Sequence, residues 1–326
     1  MSEQLSLFGD ENTLYNTGLG QLLALDYSRS LETLSRYHKL FPWGRDVSRD
    51  MAIAGFWLEK LGRADRTDMD ATEAERRYRL WLEFEETFGY PWGEDRFEEK
   101  LQVEYFSRIA NSLSWNPGGW AAKLPGGTPI GLLYLLSGRA DAAIVSLQEL
   151  IAAEPENGGF YGYLGDAYTL RGDLRTARIC YREAFVFGPH QVDVKRLRDR
   201  ELKERLAELK EDGSVDGDPL AWFSVVAHFE GFFEPRIFRN LEELKQWLQQ
   251  YIALDKAYRK EGNQALVPRL FYHAMVLSDN APMMRFIKKV DLVEVRKRMK
   301  EHHPVLFARY MRALEKKDVR SRGRFV

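Results

Sequence analysis

Residues 158–191, with the sequence GGFYGYLGDAYTLRGDLRTARICYREAFVFGPHQ, carry the pattern that decides the fold. Eight positions follow the order large, small, aromatic, turn glycine, small, bulky, bulky or small, and proline: Leu164, Gly165, Tyr168, Gly172, Ala177, Tyr181, Ala184 and Pro189. The same order occurs 34 residues earlier, in the stretch that begins at Leu124: Ile130, Gly131, Tyr134, Gly138, Ala143, Leu147, Leu150 and Pro155. A repeat of this period indicates small units that bury their apolar faces against one another.

Each copy predicts two antiparallel helices joined by a glycine turn. Gly165 and Ala177 are small, so the two helices can approach each other closely. Asp173 follows the turn glycine and is placed to cap the second helix. Pro189 comes after that helix ends, where a missing N–H costs least.

The two copies resemble the tetratricopeptide repeat, with units at 124–157 and 158–191. The resemblance implies an all-α fold in which antiparallel helix pairs stack as an α-solenoid, with additional helices at both ends. A degenerate unit is expected at 11–44, from Asp26–Leu31, Leu34, Tyr37 and Pro42. The predicted organisation is a mobile segment 1–10, helices in 11–120, the repeats in 121–191, a charged helix and linker in 192–217, and an aromatic-rich helical region with a basic tail in 218–326.

In the tetratricopeptide family, the first helix of each repeat lines a groove that holds a partner segment. The matching positions here include Thr128, Leu132, Leu135, Leu136, Gly162, Asp166, Thr169 and Leu170. Family members that hold acidic chaperone tails carry Lys, Arg or Asn in the groove, whereas this chain carries none of them there. A leucine-lined groove is expected to hold an apolar helix or an extended segment. The alternative is that the chain's own terminal helices cover these leucines.

Residues 4–8, Gln4-Leu5-Ser6-Leu7-Phe8, resemble the pentapeptide with which many bacterial proteins dock on the replicative sliding clamp. In that role Gln4 satisfies polar groups at the rim of the clamp pocket, while Leu7 and Phe8 fill its apolar interior. The motif predicts, as an alternative function, a clamp-tethered accessory protein of DNA replication or repair that loses clamp binding when residues 1–9 are removed. The competing interpretation is that these side chains pack on the first helices.

Charge is distributed unevenly along the chain, although the net charge is −1. Residues 1–120 carry 14 Lys and Arg against 21 Asp and Glu, whereas residues 281–326 carry 14 against 5. The basic end includes Lys288, Lys289, Arg296, Lys297, Arg298, Lys316, Lys317, Arg320, Arg322 and Arg324. This patch predicts contact with nucleic-acid phosphates or acidic partners, unless it packs against the acidic N-terminal third.

The sequence shows no pattern of catalytic, cofactor-binding or metal-binding residues. The glycine pairs at 118–119 and 126–127 lack the lysine of a phosphate loop, and the six histidines lack metal-ligand spacing. Cys180 lies inside a repeat helix and is expected to be inert. We therefore expect a protein that is not an enzyme and needs no cofactor. A second alternative is an unrecognised enzyme in the C-terminal helices, around Trp222, His228, Trp247 and His273.

Cellular location is indicated by three features. No stretch of 18 apolar residues could span a membrane, and the N-terminus lacks the pattern of a secretory signal. A single cysteine agrees with a reducing compartment. The sequence therefore predicts a cytoplasmic, non-enzymatic bacterial scaffold that binds a protein or peptide partner through the repeat groove.

Two corner motifs, Phe41-Pro42-Trp43-Gly44 and Tyr90-Pro91-Trp92-Gly93, are similar to each other. They predict two helix–turn–helix corners, each with a tryptophan packed under the turn. The alternative is that the same turn chemistry occurs twice without a duplication.

Overall fold

The computed structural model describes residues 2–62, 69–90, 97–114, 123–213, 215, 217–287 and 291–322, without the side chains of 2–9, 114 and 316–322. Within these residues the chain forms helices and turns, and its only β-type pairing is an isolated bridge between Lys123 and Pro129. The predicted all-α class is confirmed. None of the helices in the described ranges is both long enough and apolar enough to cross a bilayer.

The chain divides into two compact units, Met1–Leu150 and Ile151–Val326, so the boundary falls inside the first predicted repeat. The helices in the first part of the chain are α1 (Ser2–Leu23), α2 (Tyr27–Leu40), α3 (Ser48–Leu61), α4 (Ala71–Phe88), α5 (Phe97–Ser114), α6 (Ile130–Leu136) and α7 (Ala140–Ala153). They are followed by α8 (Gly158–Leu170), α9 (Leu174–Phe187), α10 (Arg200–Asp212), α11 (Pro219–Phe229), α12 (Leu241–Glu261), α13 (Val267–Asp279), α14 (Ala281–Met284), α15 (Leu292–His302) and α16 (Pro304–Arg322).

Acidic and amide side chains fix where several of these helices begin. The Asp173 carboxylate accepts the backbone N–H of Thr176 at 3.1 Å, as the repeat pattern predicts. Asp70 does the same at the start of α4, with 2.8 Å to Glu73 N. Such a cap satisfies one of the free N–H groups at a helix start and is worth about 1 kcal/mol.

Both small residues of the repeat pattern lie where two helices touch. A Cβ atom added to Gly165 in α8 would lie 2.5 Å from Cε1 of Tyr181 in α9. A Cβ atom added to Gly131 in α6 would lie 2.6 Å from Cγ of Leu147 in α7. Gly172 adopts φ +86° in the turn between α8 and α9, a conformation that favours glycine. The pattern thus correctly predicts two pairs of closely packed helices, α6 with α7 and α8 with α9.

The core of the N-terminal unit is built from aromatic side chains of α3, α4 and α5. Trp57, Trp81 and Phe84 are completely buried, and the Trp57 ring lies 4.7 Å from the Tyr105 ring. Large rings bury much apolar area and pair favourably edge to face or offset. This cluster is therefore a densely packed part of the core of the N-terminal unit.

The turn at 41–46 differs from the prediction. The Tyr37 hydroxyl accepts the backbone N–H of Arg45 at 2.8 Å and donates to Glu11 at 2.9 Å, so it occupies the space under the turn. Trp43 is 98% exposed, and the expectation that it packs under this turn is wrong. Its counterpart Trp92 lies outside the described residues.

The charged helix expected from 192 begins only at Arg200. The Asp199 side chain accepts the N–H of Leu202 at 3.1 Å and caps α10 there. Before it, Pro189–Gln191 form one 3₁₀ turn, and residues 192–199 are irregular. An irregular segment therefore follows α9 directly.

Candidate functional site

The predicted groove positions in the first repeat are covered by N-terminal helices. Leu132, Leu135 and Leu136 are all buried. Gln102 of α5 donates its side-chain amide to the Leu136 carbonyl at 3.4 Å. The Thr128 hydroxyl, which is half-buried, donates to Oε1 of Glu75 in α4 at 3.1 Å. The first helix of this repeat is therefore held against α5, and the residues just before it are bonded to α4.

The groove positions in the second repeat are covered by the irregular segment after α9. Gly162 and Asp166 are buried, while Thr169 and Leu170 are half-buried. A Cβ atom added to Gly162 would touch Val192 at 3.5 Å, and the backbone N–H of Arg198 donates to Asp166 Oδ1 at 2.7 Å. Five of the eight predicted groove residues are thus buried by the chain's own segments, which agrees with the alternative that the chain itself covers these positions.

The Asp166 carboxyl is an unusual group on that covered face. It is 2% exposed and also accepts the Tyr181 hydroxyl at 2.6 Å. Burial raises the pKa of Asp166 to about 7, although the hydrogen bonds from Tyr181 and Arg198 oppose the shift. Because this pKa exceeds the usual value of 3.8, the folded state binds more protons than the unfolded state between these two pH values.

Asp166→Asn is expected to change how stability depends on pH. The wild type should lose stability as pH rises from about 4 to about 7, because the folded carboxyl must ionise in a buried place. An amide oxygen can accept the same two hydrogen bonds without charge. The stability difference between variant and wild type should therefore shift in favour of the variant by about 2–3 kcal/mol between pH 5 and pH 8. Urea denaturation of both proteins at pH 5 and pH 8 measures the free energies of unfolding. The same variant-minus-wild-type value at both pH values would contradict the prediction.

The sliding-clamp motif and much of the basic patch lie outside the described side chains. This holds for Gln4, Leu5, Leu7 and Phe8, and for Lys288, Lys289, Lys316, Lys317, Arg320, Arg322 and Arg324. Of the rest, Arg298 lies 3.2 Å from Asp255, Lys297 lies 4.0 Å from Glu294, and Arg296 is half-buried. The described part of the patch is thus partly engaged in ion pairs within the C-terminal unit.

The residues considered for hidden enzyme chemistry lie in packed surroundings. His273 stacks on Trp247 at 4.0 Å, and burial lowers its pKa to about 3, so it is neutral near pH 7. Nε2 of His228 lies 2.9 Å from Asp279, and both side chains are buried. Burial raises the pKa of Cys180 to about 12. The described side chains include no group of three or more His, Cys, Asp or Glu that could hold a metal ion.

An open pocket of about 540 Å³ lies in the C-terminal unit, between α9, residues 234–239 and α12. Its lining combines charged, aliphatic and aromatic side chains: Arg175, Ile179, Arg182, Phe187, Glu234, Pro235, Arg236, Ile237, Phe238, Arg239, Glu243, Gln246, Trp247 and Gln250. We call this the arginine–tryptophan pocket. It uses the second helix of the second repeat, whereas the predicted groove uses the first.

Two arginines at the floor of the pocket share one carboxylate. Glu183 Oε1 accepts Nε and Nη2 of Arg182 at 2.9 and 2.7 Å, and its Oε2 accepts Nη2 of Arg236 at 2.7 Å. Arg182 also donates to the Glu234 carbonyl at 2.7 Å. The side chains of Arg182 and Glu183 are only 7% and 6% exposed. The floor is therefore a fixed, charged layer.

Trp247 also contacts Arg236. The Arg236 guanidinium lies 4.6 Å from the centre of the Trp247 ring, a distance typical of cation–π contact. The indole N–H of Trp247 donates to the His273 carbonyl at 3.3 Å, and the two rings stack with 7° between their planes. Arg236 is thus positioned by its carboxylate partner and by an indole that is itself fixed.

The rim of the pocket is more exposed than its floor. Arg175 donates to both carboxylate oxygens of Glu234 at 3.1 Å. Ile237 is 62% exposed and Ile179 is 38% exposed. Arg239 is exposed, and it forms no ion pair or hydrogen bond with any residue that the structure describes. Aliphatic surface and an available cation therefore lie together at the entrance.

The sequence contained one signal for this site, a set of residues on one face of α9, which is separate from the repeat pattern. Arg175, Ile179 and Arg182 lie at positions i, i+4 and i+7 of α9, so they share one face. The segment that completes the pocket, from Glu234 to Arg239, lies about 50 residues further along. Periodicity within a helix gives no information on contacts over that separation, so the sequence alone does not predict the pocket.

The chain was compared with protein-family models, with curated proteins and with solved structures, and none of them matches it.

Proposed function

We propose that the protein is a non-enzymatic interaction module that docks a segment of a partner protein in the arginine–tryptophan pocket. The supporting observation is the combination of exposed isoleucines with guanidinium groups that are already fixed in place. Tryptophan and arginine in such surroundings are typical of interface hot spots. Arginine stays protonated throughout the range of pH in which proteins are folded, so these groups bind anions and transfer no protons.

The form of the pocket favours a chain segment over a small molecule. Its volume of about 540 Å³ lies within the usual range of ligand sites. Sites for small molecules enclose most of their ligand, whereas this pocket is open and its rim residues Ile237 and Arg239 are exposed. A peptide can place one side chain in the pocket while the rest of it runs along the rim.

A cytoplasmic location is part of the same proposal. Its support is the free, buried thiol of Cys180, which agrees with a reducing compartment. Docking on the sliding clamp through residues 4–8 stays a separate prediction, and deleting residues 1–9 tests it without affecting the pocket.

Selection from a random peptide library displayed on phage tests the proposed function. The full-length chain is expected to enrich a family of peptides that bind it specifically. Ile237→Asp should weaken their binding by at least about tenfold, because it places a charge where apolar contact is needed. Binding is measured by fluorescence anisotropy with the synthesised peptides.

Ile252→Asp is the matched control. Ile252 lies on α12, is 43% exposed and does not line the pocket, so this variant should bind like the wild type. Failure to enrich any peptide, or equal binding by the Ile237→Asp variant, would overturn the proposal.

A further inference from the structure

The arginine–tryptophan pocket also indicates the chemistry of its ligand. We infer that the docked segment carries an aspartate or glutamate whose carboxylate binds Arg236 and Arg239, next to an apolar side chain that packs on Ile237. This inference rests on the proposed function and adds to it the group that is recognised. Three properties of the pocket carry it.

The first property is the charge at the floor. Glu183 is one carboxylate between two guanidinium groups, those of Arg182 and Arg236. Glu234, the nearest acidic residue at the rim, is already paired with Arg175 through both of its oxygens. The two arginines and Glu183 at the floor thus have a net charge of +1. Because a poorly solvated charge is costly without a partner, an anion bound there would be stabilised.

The second property is the set of hydrogen-bond donors on Arg236, a residue that lines the pocket. Arg236 uses Nη2 for Glu183, and the described residues offer no acceptor to its Nε and Nη1. Its side chain is 26% exposed, and its guanidinium lies over the Trp247 ring. A guanidinium that is already held in place loses little conformational freedom when a ligand binds. Its hydrogen bonds to a carboxylate therefore contribute strongly to binding.

The third property is the rim around Arg239. This side chain is exposed and lines the pocket with Arg236, while Ile237 lies between the two in sequence and is also exposed. A ligand carboxylate that reaches both arginines therefore brings its neighbouring residue close to Ile237. The aliphatic surface of Ile237 favours an apolar side chain there.

The count of charges favours a carboxylate over a phosphate. The pocket lining carries four arginines against Glu234 and Glu243, and Glu183 lies behind the floor, which leaves a net charge of +1. A carboxylate supplies one negative charge, whereas a phosphorylated side chain supplies about 1.5 to 2. The ligand that matches is therefore an acidic residue without modification.

The test uses fluorescein-labelled peptides from the phage selection and the full-length chain. Each acidic residue of a peptide is changed to its amide, and affinities are measured for wild type, Arg236→Gln, Arg239→Gln and Arg200→Gln. Arg200 is 91% exposed on α10, so its variant removes a positive charge away from the pocket. One acid-to-amide change is expected to weaken binding to wild type by about tenfold or more.

The same acid-to-amide change should have little further effect in the Arg236→Gln and Arg239→Gln variants, because the partner group is already gone. The Arg200→Gln control should behave like wild type. Arg239 forms no hydrogen bond or ion pair with a described residue. Its variant therefore tests binding even if Arg236→Gln disturbs the floor.

Two outcomes would overturn the inference while the proposed function stands. In the first, peptides lose affinity for the Ile237→Asp variant but tolerate every acid-to-amide change. In the second, replacing the acidic residue by phosphoserine strengthens binding by about tenfold, which would assign the pocket to phosphate. If no peptide binds at all, the proposed function itself fails.

Discussion

Glu183→Gln is expected to lower the free energy of unfolding by about 3–5 kcal/mol. The substitution keeps the shape of the side chain but removes the negative charge that Arg182 and Arg236 share. Because Arg182 is almost completely buried, its charge would then lie in the protein interior without a counter-ion. Removing one partner of a buried ion pair is costly for this reason, even where the intact pair adds little.

Chemical denaturation followed by circular dichroism measures this effect, and Glu201→Gln is its control. Glu201 also binds two arginines, Arg178 and Arg205, but its side chain is 45% exposed. Water screens such a pair, so the control should lose less than about 1 kcal/mol. A similarly small loss for Glu183→Gln would mean that the floor of the pocket is not a buried, fixed layer of charges.

Trp57→Ala is expected to destabilise the N-terminal unit by about 3–5 kcal/mol. The Trp57 ring is completely buried and lies within 6.0 Å of the rings of Tyr27, Trp81 and Tyr105. Its removal would leave a cavity that these rigid neighbours cannot close fully. Thermal and urea unfolding of the full chain measure the loss.

Trp43→Ala makes the same chemical change at an exposed position of the same unit. Trp43 is 98% exposed, so its removal should change stability by no more than about 0.5 kcal/mol. A large loss from Trp43→Ala, or a small one from Trp57→Ala, would contradict the arrangement of α2 and α3 described here.

Local features of the fold could be predicted from the sequence. The small residues Gly131 and Gly165 lie where helix pairs touch, and Asp173 caps the helix that it was expected to cap. These features depend on neighbours within about 20 residues, which a repeat pattern reports directly. The all-α class follows from the same periodicity.

Features that depend on distant contacts could not be predicted. The repeat pattern identifies Leu136 and Asp166 by position, but the residues that contact them, on α5 and in 192–199, belong to no repeat. Trp43 is exposed because the Tyr37 hydroxyl occupies the space under its turn. The pocket joins Glu183, Arg236 and Trp247, and no periodic signal connects these three residues.

The proposed partner docks in the arginine–tryptophan pocket and not in the repeat groove. Amide hydrogen exchange of the full chain, with and without a peptide from the phage selection, tests it most directly. Exchange should become slower in residues 234–239, and stay unchanged in α6 and α8, when the peptide binds. Slower exchange in α6 and α8 with no change in residues 234–239 would contradict it, because the partner would then occupy the face that residues 192–199 and the N-terminal helices now cover.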